Sequence, residues 1–165
     1  MKVLLVSDTH GKDQTIEQAV YAEAPFDALI HCGDVEGREY YIEAIAQCPC
    51  TIVAGNNDFF SDLPREVILD LEGTRVLVTH GHYYGVSLDP GGLIDEARSR
   101  DCQAVFFGHT HRPLITEEDG ILAANPGSLS YPRQPGREPT YIVIEARQGR
   151  PLSLTLKRLP VRNRW

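Results

Sequence analysis

Six histidines stand in this 165-residue chain, and five of them come just after short apolar runs. "VLLVS" leads into Asp8-Thr9-His10, "VLVT" into His80-Gly81-His82, and "VFFG" into His109-Thr110-His111. The sixth, His31, closes "ALI" and precedes Cys32-Gly33-Asp34. A further run, "TIVAG", is followed by Asn56-Asn57-Asp58. Each piece alone is an ordinary turn or a packed imidazole. Together they put ligand-type side chains at successive strand ends, where sites form in open α/β sheets. In extended chain, residues i and i+2 point the same way, so each such pair is expected to aim two donor atoms at one point.

Carboxylate, imidazole and carboxamide oxygen without thiolate suit Mn²⁺, Fe²⁺, Ni²⁺ or Zn²⁺. Calcium asks for more oxygens and magnesium for fewer histidines. Asp8, His10, Asp34, Asn56, His80, His109 and His111 are seven such groups; with one bridging carboxylate they supply eight contacts, four for each of two ions. Two divalent ions roughly 3.5–4 Å apart can generate hydroxide and clamp both oxygens of an in-line displacement at phosphorus. The cysteines do not compete for this role. Cys32, Cys48, Cys50 and Cys102 lack Cys-x-x-Cys spacing and read as buried thiols.

The elements that must position these groups are legible in the spacing of apolar residues. "KVLLVS", "DALIHC" and "TIVAG" read as strands. Between them, "DQTIEQAVYAEA" and "REYYIEAIAQ" read as amphipathic helices, the second with Tyr41, Ala44 and Ile45 on one face. This alternation is the mark of parallel βαβ units. Farther on, "EVILDLEGTRVLVTHG" reads as a hairpin around Glu72-Gly73, and "DPGGLIDEARSR" as a helix capped by Asp89 with Pro90 at its first position. "AVFFG" is another strand. "PLITEEDGILAANPGS" and "TYIVIEARQGRPLSLTLKRL" read as hairpins, so the second half is expected to be antiparallel β.

Length fits one domain over residues 1–165, with no repeat and no internal linker. No apolar run is long enough for a membrane span, and the first ten residues do not read as a signal peptide, so a cytoplasmic location is expected. The net charge of −7 argues against a dedicated nucleic-acid binder. The final "KRLPVRNRW" reads as a solvated, frayed tail. The oligomeric state stays open, a homo-oligomer included.

Taken in order, "SDTHG", "HCGDV", "AGNND", "VTHGH" and "GHTH" resemble the motifs of the calcineurin-like metallophosphoesterases, in particular the small bacterial and archaeal phosphodiesterase branch. "NPGSLSYPR", from Asn125 to Arg133, resembles a further loop of that branch. The resemblance implies a four-layer α/β/β/α sandwich, two mixed sheets flanked by helices. It assigns Asp8, His10 and His111 to one ion, and Asn56, His80 and His109 to a second, with Asp34 bridging them. Manganese is the foremost candidate, with nickel, iron or zinc as alternatives.

The implied substrate is a small phosphodiester or other phosphate ester. The competing readings are a phosphomonoesterase, a nucleotide pyrophosphohydrolase, and a non-catalytic scaffold of the same fold. Asn57, Asp58 and His82 are the candidate catalytic groups; Asn125, Ser128 and Arg133 are candidates for binding a phosphoryl oxygen. His31 is expected to orient a ligand or to pack beside the site. One position departs from the family. Its third motif commonly carries a histidine where this chain has Asn57, and a carboxamide cannot give up a proton near neutral pH.

Overall fold

In a computed structural model, residues 1–160 are described. The first three strands are β1 (Lys2–Val6), β2 (Ala28–His31) and β3 (Cys50–Ile52), joined by helices α1 (Gln14–Glu23) and α2 (Glu39–Ala46). A hairpin of β4 (Glu66–Leu71) and β5 (Thr74–Thr79) follows, then helix α3 (Gly91–Ser99) and strand β6 (Ala104–Phe106). Two further hairpins close the chain, β7 (Pro113–Glu118) with β8 (Ile121–Pro126), and β9 (Thr140–Glu145) with β10 (Ser153–Arg158).

The strands form two five-stranded mixed sheets, ordered β10-β9-β1-β2-β3 and β4-β5-β6-β8-β7. Strand β1 is central to the first sheet, parallel to β2 and antiparallel to β9. Its continuous apolar run is explained by cover on both faces. Val3 and Leu5 face the second sheet, in a core with Val76, Val78, Phe106 and Ala124. Leu4 and Val6 face the other way, onto Ile16, Ala19 and Val20 of α1. The outer face of the second sheet packs Leu77, Val105 and Ala123 against Leu93, Ile94 and Ala97 of α3. The layers are therefore α/β/β/α, as the resemblance implies. Phe106 is fully buried between the sheets, where truncation to Ala costs about 3–5 kcal/mol.

Four details differ from the sequence reading. The second half is not purely antiparallel, because β5, β6 and β8 pair in parallel through crossovers. Helix α2 buries Ile42 and packs Ile45 and Ala46 inward, while Ala44 is exposed. The apolar stripe is rotated from the expected face because Ile42 outweighs Ala44 in burial gain. Helix α3 begins one residue later than expected, with Pro90 at its N-cap, although Asp89 Oδ1 still accepts the Gly91 N–H at 2.8 Å. Lys157 and Arg158 are not tail residues, since β10 carries them along β9. Arg162 and Arg164 lie outside the described residues.

Candidate metal centre

The ligand-type residues do sit at the carboxyl ends of strands. Asp8 and His10 follow β1, Asp34 follows β2, Asn56 follows β3, His80 follows β5, and His109 and His111 follow β6. Extended geometry is not what aims them. Asp8, His10, Asp34, His109 and His111 have φ of 54°, 50°, 59°, 72° and 59°. Left-handed backbone at a non-glycine residue costs roughly 1–2 kcal/mol. Five such residues in one loop cluster show that the surrounding fold holds the loops in place. The i, i+2 expectation holds for Asp8 and His10 but fails for His109 and His111, which turn to different clusters.

In the first cluster, Asp8 Oδ1 lies 3.2 Å from His111 Nε2 and 3.6 Å from His10 Nε2, and the two imidazole nitrogens are 3.1 Å apart. In the second, Asn56 Oδ1 lies 2.9 Å from His80 Nε2 and 3.1 Å from His109 Nδ1, with the two nitrogens 3.3 Å apart. Asp34 Oδ2 stands between them, 3.8 Å from His10 Nε2 and 3.4 Å from His80 Nε2. Small residues make room for the carboxylates. A Cβ on Gly108 would overlap Ser7 Oγ and Asp8 Oδ2, and one on Gly55 would overlap Asp34 Oδ1.

Neighbouring carbonyls determine which ring nitrogens carry protons. His111 Nδ1 is 2.8 Å from the Tyr131 carbonyl and His80 Nδ1 is 2.8 Å from the Cys32 carbonyl. A carbonyl only accepts, so both Nδ1 atoms donate. In the neutral rings both Nε2 atoms are then lone pairs. Lone pairs on His111 and His80 thus face Asp8 Oδ1 and Asn56 Oδ1, which are acceptors too. Asp8 Oδ2 accepts from Ser7 Oγ at 2.6 Å and from the His109 N–H at 3.1 Å. Its Oδ1 is buried and has no hydrogen-bond partner among the described residues. Converging acceptors without a donor are unfavourable when dry. A cation in each cluster resolves the conflict, so the donor set fits divalent metal ions.

The protonation preferences tell the same story. Burial alone would raise the Asp8 carboxyl, but the contacts with His10 and His111 outweigh it and hold Asp8 well below the usual range. Burial likewise opposes ionisation of Asp34, and His80 beside it brings Asp34 down to about 2. Burial would lower His10 and His80; the facing carboxylates, Asp8 for His10 and Asp34 for His80, raise both instead. The pocket is thus strongly negative in potential and recruits positive charge, whether from protons or from metal.

The other candidates divide by what their polar atoms already touch. Asn57 donates from its backbone N–H to Asp34 Oδ1 at 2.9 Å and from Nδ2 to Asp34 Oδ2 at 3.0 Å. Asp58 accepts the N–H groups of Asp34, Glu36 and Gly55 at 2.7–2.8 Å. Its carboxylate therefore ties the Asp34 loop to the Asn56 loop and is turned away from the reaction space. Asn125 is spent within the fold, donating to the Gly108 carbonyl and Thr110 Oγ1 and accepting the Gly127 N–H. Ser128 donates to the Asp8 carbonyl at 2.7 Å and is fully buried. Arg133 is exposed and lines a depression together with His10 and His111. His82 flanks the second cluster, its ring 5.3 Å from that of His80, and burial lowers its pKa.

His31 lies behind the site. Its Nδ1 accepts the Gly33 N–H at 3.0 Å, so Nε2 carries the proton and donates to Thr9 Oγ1 at 2.9 Å. Burial pushes its pKa down to about 4. Three supporting groups escaped the sequence reading: Ser7, the Tyr131 carbonyl, and Glu36, whose Oε1 is 3.5 Å from His10 Nδ1. Nothing in their spacing singles them out: Ser7 reaches its neighbour Asp8 from an ordinary strand-end position, the Tyr131 carbonyl acts through the backbone, and Glu36 meets His10 only in the fold.

The family profile described as the calcineurin-like phosphoesterase superfamily domain matches residues 1–149. The chain belongs to this family. Among curated proteins it is similar to the probable metallophosphoesterase YsnB of Bacillus subtilis, 35% identical over 136 residues, 81% of this chain and 78% of that protein. It is also 29% identical over 147 residues to phosphodiesterase MJ0936 of Methanocaldococcus jannaschii, covering 77% of this chain and 83% of that one. Among solved structures, Vps29 of Entamoeba histolytica complexed with Zn²⁺ superposes with a TM-score of 0.79 at 20% identity, covering 96% of this chain and 98% of that one. That last likeness concerns the fold alone. Among the described residues no helix is long and apolar enough to cross a membrane.

Proposed function

We propose that this metallophosphoesterase is a phosphodiesterase holding two divalent ions, with manganese as the best fit. The observation that carries the reading is the buried Asp8 Oδ1, without a hydrogen-bond partner among the described residues, facing the Nε2 lone pair of His111 at 3.2 Å. Asp8, His10 and His111 would hold one ion, Asn56, His80 and His109 the other, and Asp34 both. Bound there, the ions supply a nucleophilic hydroxide at neutral pH and stabilise charge on the attacking and leaving oxygens.

The chain's own residues do the rest. Asp58 and Asn57 fix Asp34 from behind through three hydrogen bonds, and Asp58 ties the Glu36 and Gly55 backbone to the same point with two more. The Nδ1 bonds of His80 and His111 fix both tautomers, so that Nε2 faces inward. No proton donor matched to neutral pH faces the leaving group from Asn57, which can offer only an N–H. Burial and the neighbouring His80 and His109 lower the pKa of His82 and so disfavour its protonated form. General-acid help is typically worth about 10²–10⁴-fold. Aryl esters, which need it least, are therefore expected to turn over far faster than alkyl ones.

The fold shared with Vps29 keeps a scaffold reading in play. The complete donor set argues for the enzyme. The test is a panel of bis(4-nitrophenyl) phosphate, 4-nitrophenyl phosphate, a cyclic nucleotide, a dinucleotide and a nucleoside diphosphate sugar, each with Mn²⁺, Ni²⁺ or Zn²⁺. Metal-dependent hydrolysis of the diesters above the monoester supports the reading. A preference for the monoester or the diphosphate moves the assignment to a phosphomonoesterase or a pyrophosphohydrolase. No turnover with any metal supports the scaffold.

A further inference from the structure

The two lips of the site carry opposite charge. The lip beside Asn57 and Asp58 holds Glu36, Glu39, Phe59 and Phe60. The lip beside His10 and His111 is a depression of about 710 Å³ lined by Arg112, Tyr131, Arg133 and Arg137, and no acidic residue lines it. Lys12 adds a fourth cation, its Nζ 4.2 Å from the centre of the Tyr131 ring. Among the described residues, Lys12, Arg112, Arg133 and Arg137 make no ion pair; other surface cations are unpaired too, and what marks these four is their gathering at one rim of the site without an acidic neighbour in its lining. In a chain of net charge −7, four unpaired cations on one side of a metal-type site are a local reversal of sign.

We infer that this lip is a second anion subsite, which takes a further phosphate group carried by the part of the substrate that is not displaced. The inference rests on the phosphodiesterase reading and narrows its substrate class to small diesters with an additional phosphate. A single scissile phosphate faces the two clusters and needs at most one of these cations. Three guanidiniums at the rim match a phosphomonoester, whose oxygens accept paired N–H bonds. Arg133 is tied to the site by its backbone, since its N–H donates to the His111 carbonyl at 3.0 Å. The same backbone stretch presents Tyr131, whose ring stands 5.4 Å from that of His10 and lines the depression with the arginines and the two histidines of the first cluster. The distance between subsites is thus set by fixed loop geometry. The rim is exposed, so each contact is screened by salt and worth less than a buried one.

The probes are thymidine 5′-monophosphate and thymidine 3′,5′-bisphosphate, titrated calorimetrically into Mn²⁺-loaded wild type and the Arg112→Gln/Arg137→Gln double variant. Hydrolysis of bis(4-nitrophenyl) phosphate runs in parallel. Wild type is expected to bind the bisphosphate about tenfold tighter, a preference for one extra charge-assisted contact set in solvent. The double variant should bind both nucleotides equally and hydrolyse bis(4-nitrophenyl) phosphate at the wild-type rate. Equal wild-type affinities overturn the subsite while leaving the diesterase reading intact. Loss of bis(4-nitrophenyl) phosphate turnover in wild type overturns the diesterase reading instead, and a bisphosphate preference would still establish the anion subsite. Affinity for oligothymidylate that climbs with each added nucleotide and falls steeply with salt would mean a nucleic-acid track, and overturns the small-substrate assignment.

Discussion

The two halves of the proposed metal centre are built from similar parts and differ in charge and cover. The first cluster, Asp8, His10 and His111, has a carboxylate of its own; Asp8 and His111 are buried there and His10 is half-buried. The second, Asn56, His80 and His109, has only a carboxamide of its own and shares Asp34; His80 is fully buried there, His109 half-buried and Asn56 exposed. A full negative charge a few ångströms from a dication is worth several kcal/mol even at an effective dielectric near 20. The first cluster should therefore bind its ion tightly and keep it. The second should bind more weakly and exchange with solvent. A tight ion supplies structure, and a looser one on the open side leaves coordination free for substrate.

The largest effect should come from the residue the clusters share. Asp34→Asn removes the carboxylate assigned to both ions, and kcat/KM is expected to fall on the order of 10³-fold, about 4 kcal/mol. Steady-state kinetics at saturating Mn²⁺ check it. A loss no greater than that of Asn56→Ala would mean Asp34 serves one cluster only.

The next effect isolates the support of the first cluster. His31 is neutral when folded, with its pKa about 4 against 6.5 in the unfolded chain. Between those values the unfolded chain binds a proton that the folded one refuses, so stability falls as pH falls. The full cost, about 3 kcal/mol, is reached near pH 4 and absent above pH 6.5. Urea unfolding of the metal-free protein at pH 7 and pH 4 should show His31→Gln losing less stability than wild type over that span. Equal losses would place the acid sensitivity elsewhere.

Charge can also be moved between clusters. Asn56→Asp gives the second cluster its own carboxylate and should tighten the weaker ion by about 10²-fold, narrowing the gap between the two binding steps. Calorimetric titration with Mn²⁺ reads this directly, and an unchanged second step would sink the charge explanation. The smallest effect belongs to Asn57→Ala, which removes one of the hydrogen bonds holding Asp34. A loss of about tenfold in kcat is expected, in line with a hydrogen bond to a charged group. A loss nearer that of Asp34→Asn would make Asn57 a participant in the chemistry.

The asymmetry also explains what was legible in the sequence. The strands were, because both faces of β1 and β6 are covered and their apolar runs are unbroken. The ligand residues were, because each metal-type side chain directly follows such a run. The division of His109 and His111 between clusters was not visible in their spacing, which predicts a common target. It depends on left-handed backbone at both residues, which only the packed loops impose; the motif order, through the family resemblance, supplied it instead. The parts played by Asp58, Asn125 and Ser128 were hidden for a related reason. Their types suit catalysis or phosphate binding, yet each is committed to backbone groups that come close only in the fold. The acidic and basic lips were likewise invisible, since Lys12, Arg112 and Arg137 lie far apart in the chain.

The most direct test is titration of metal-free protein with Mn²⁺, followed by calorimetry and checked by elemental analysis after desalting. Two equivalents should bind in two resolved steps. The tighter should be lost in Asp8→Asn and the weaker in His80→Ala, and desalting should strip the weaker first. Saturation at a single equivalent, or two equal steps that Asp8→Asn leaves unchanged, would contradict a centre in which one half has a carboxylate of its own and the other only shares one.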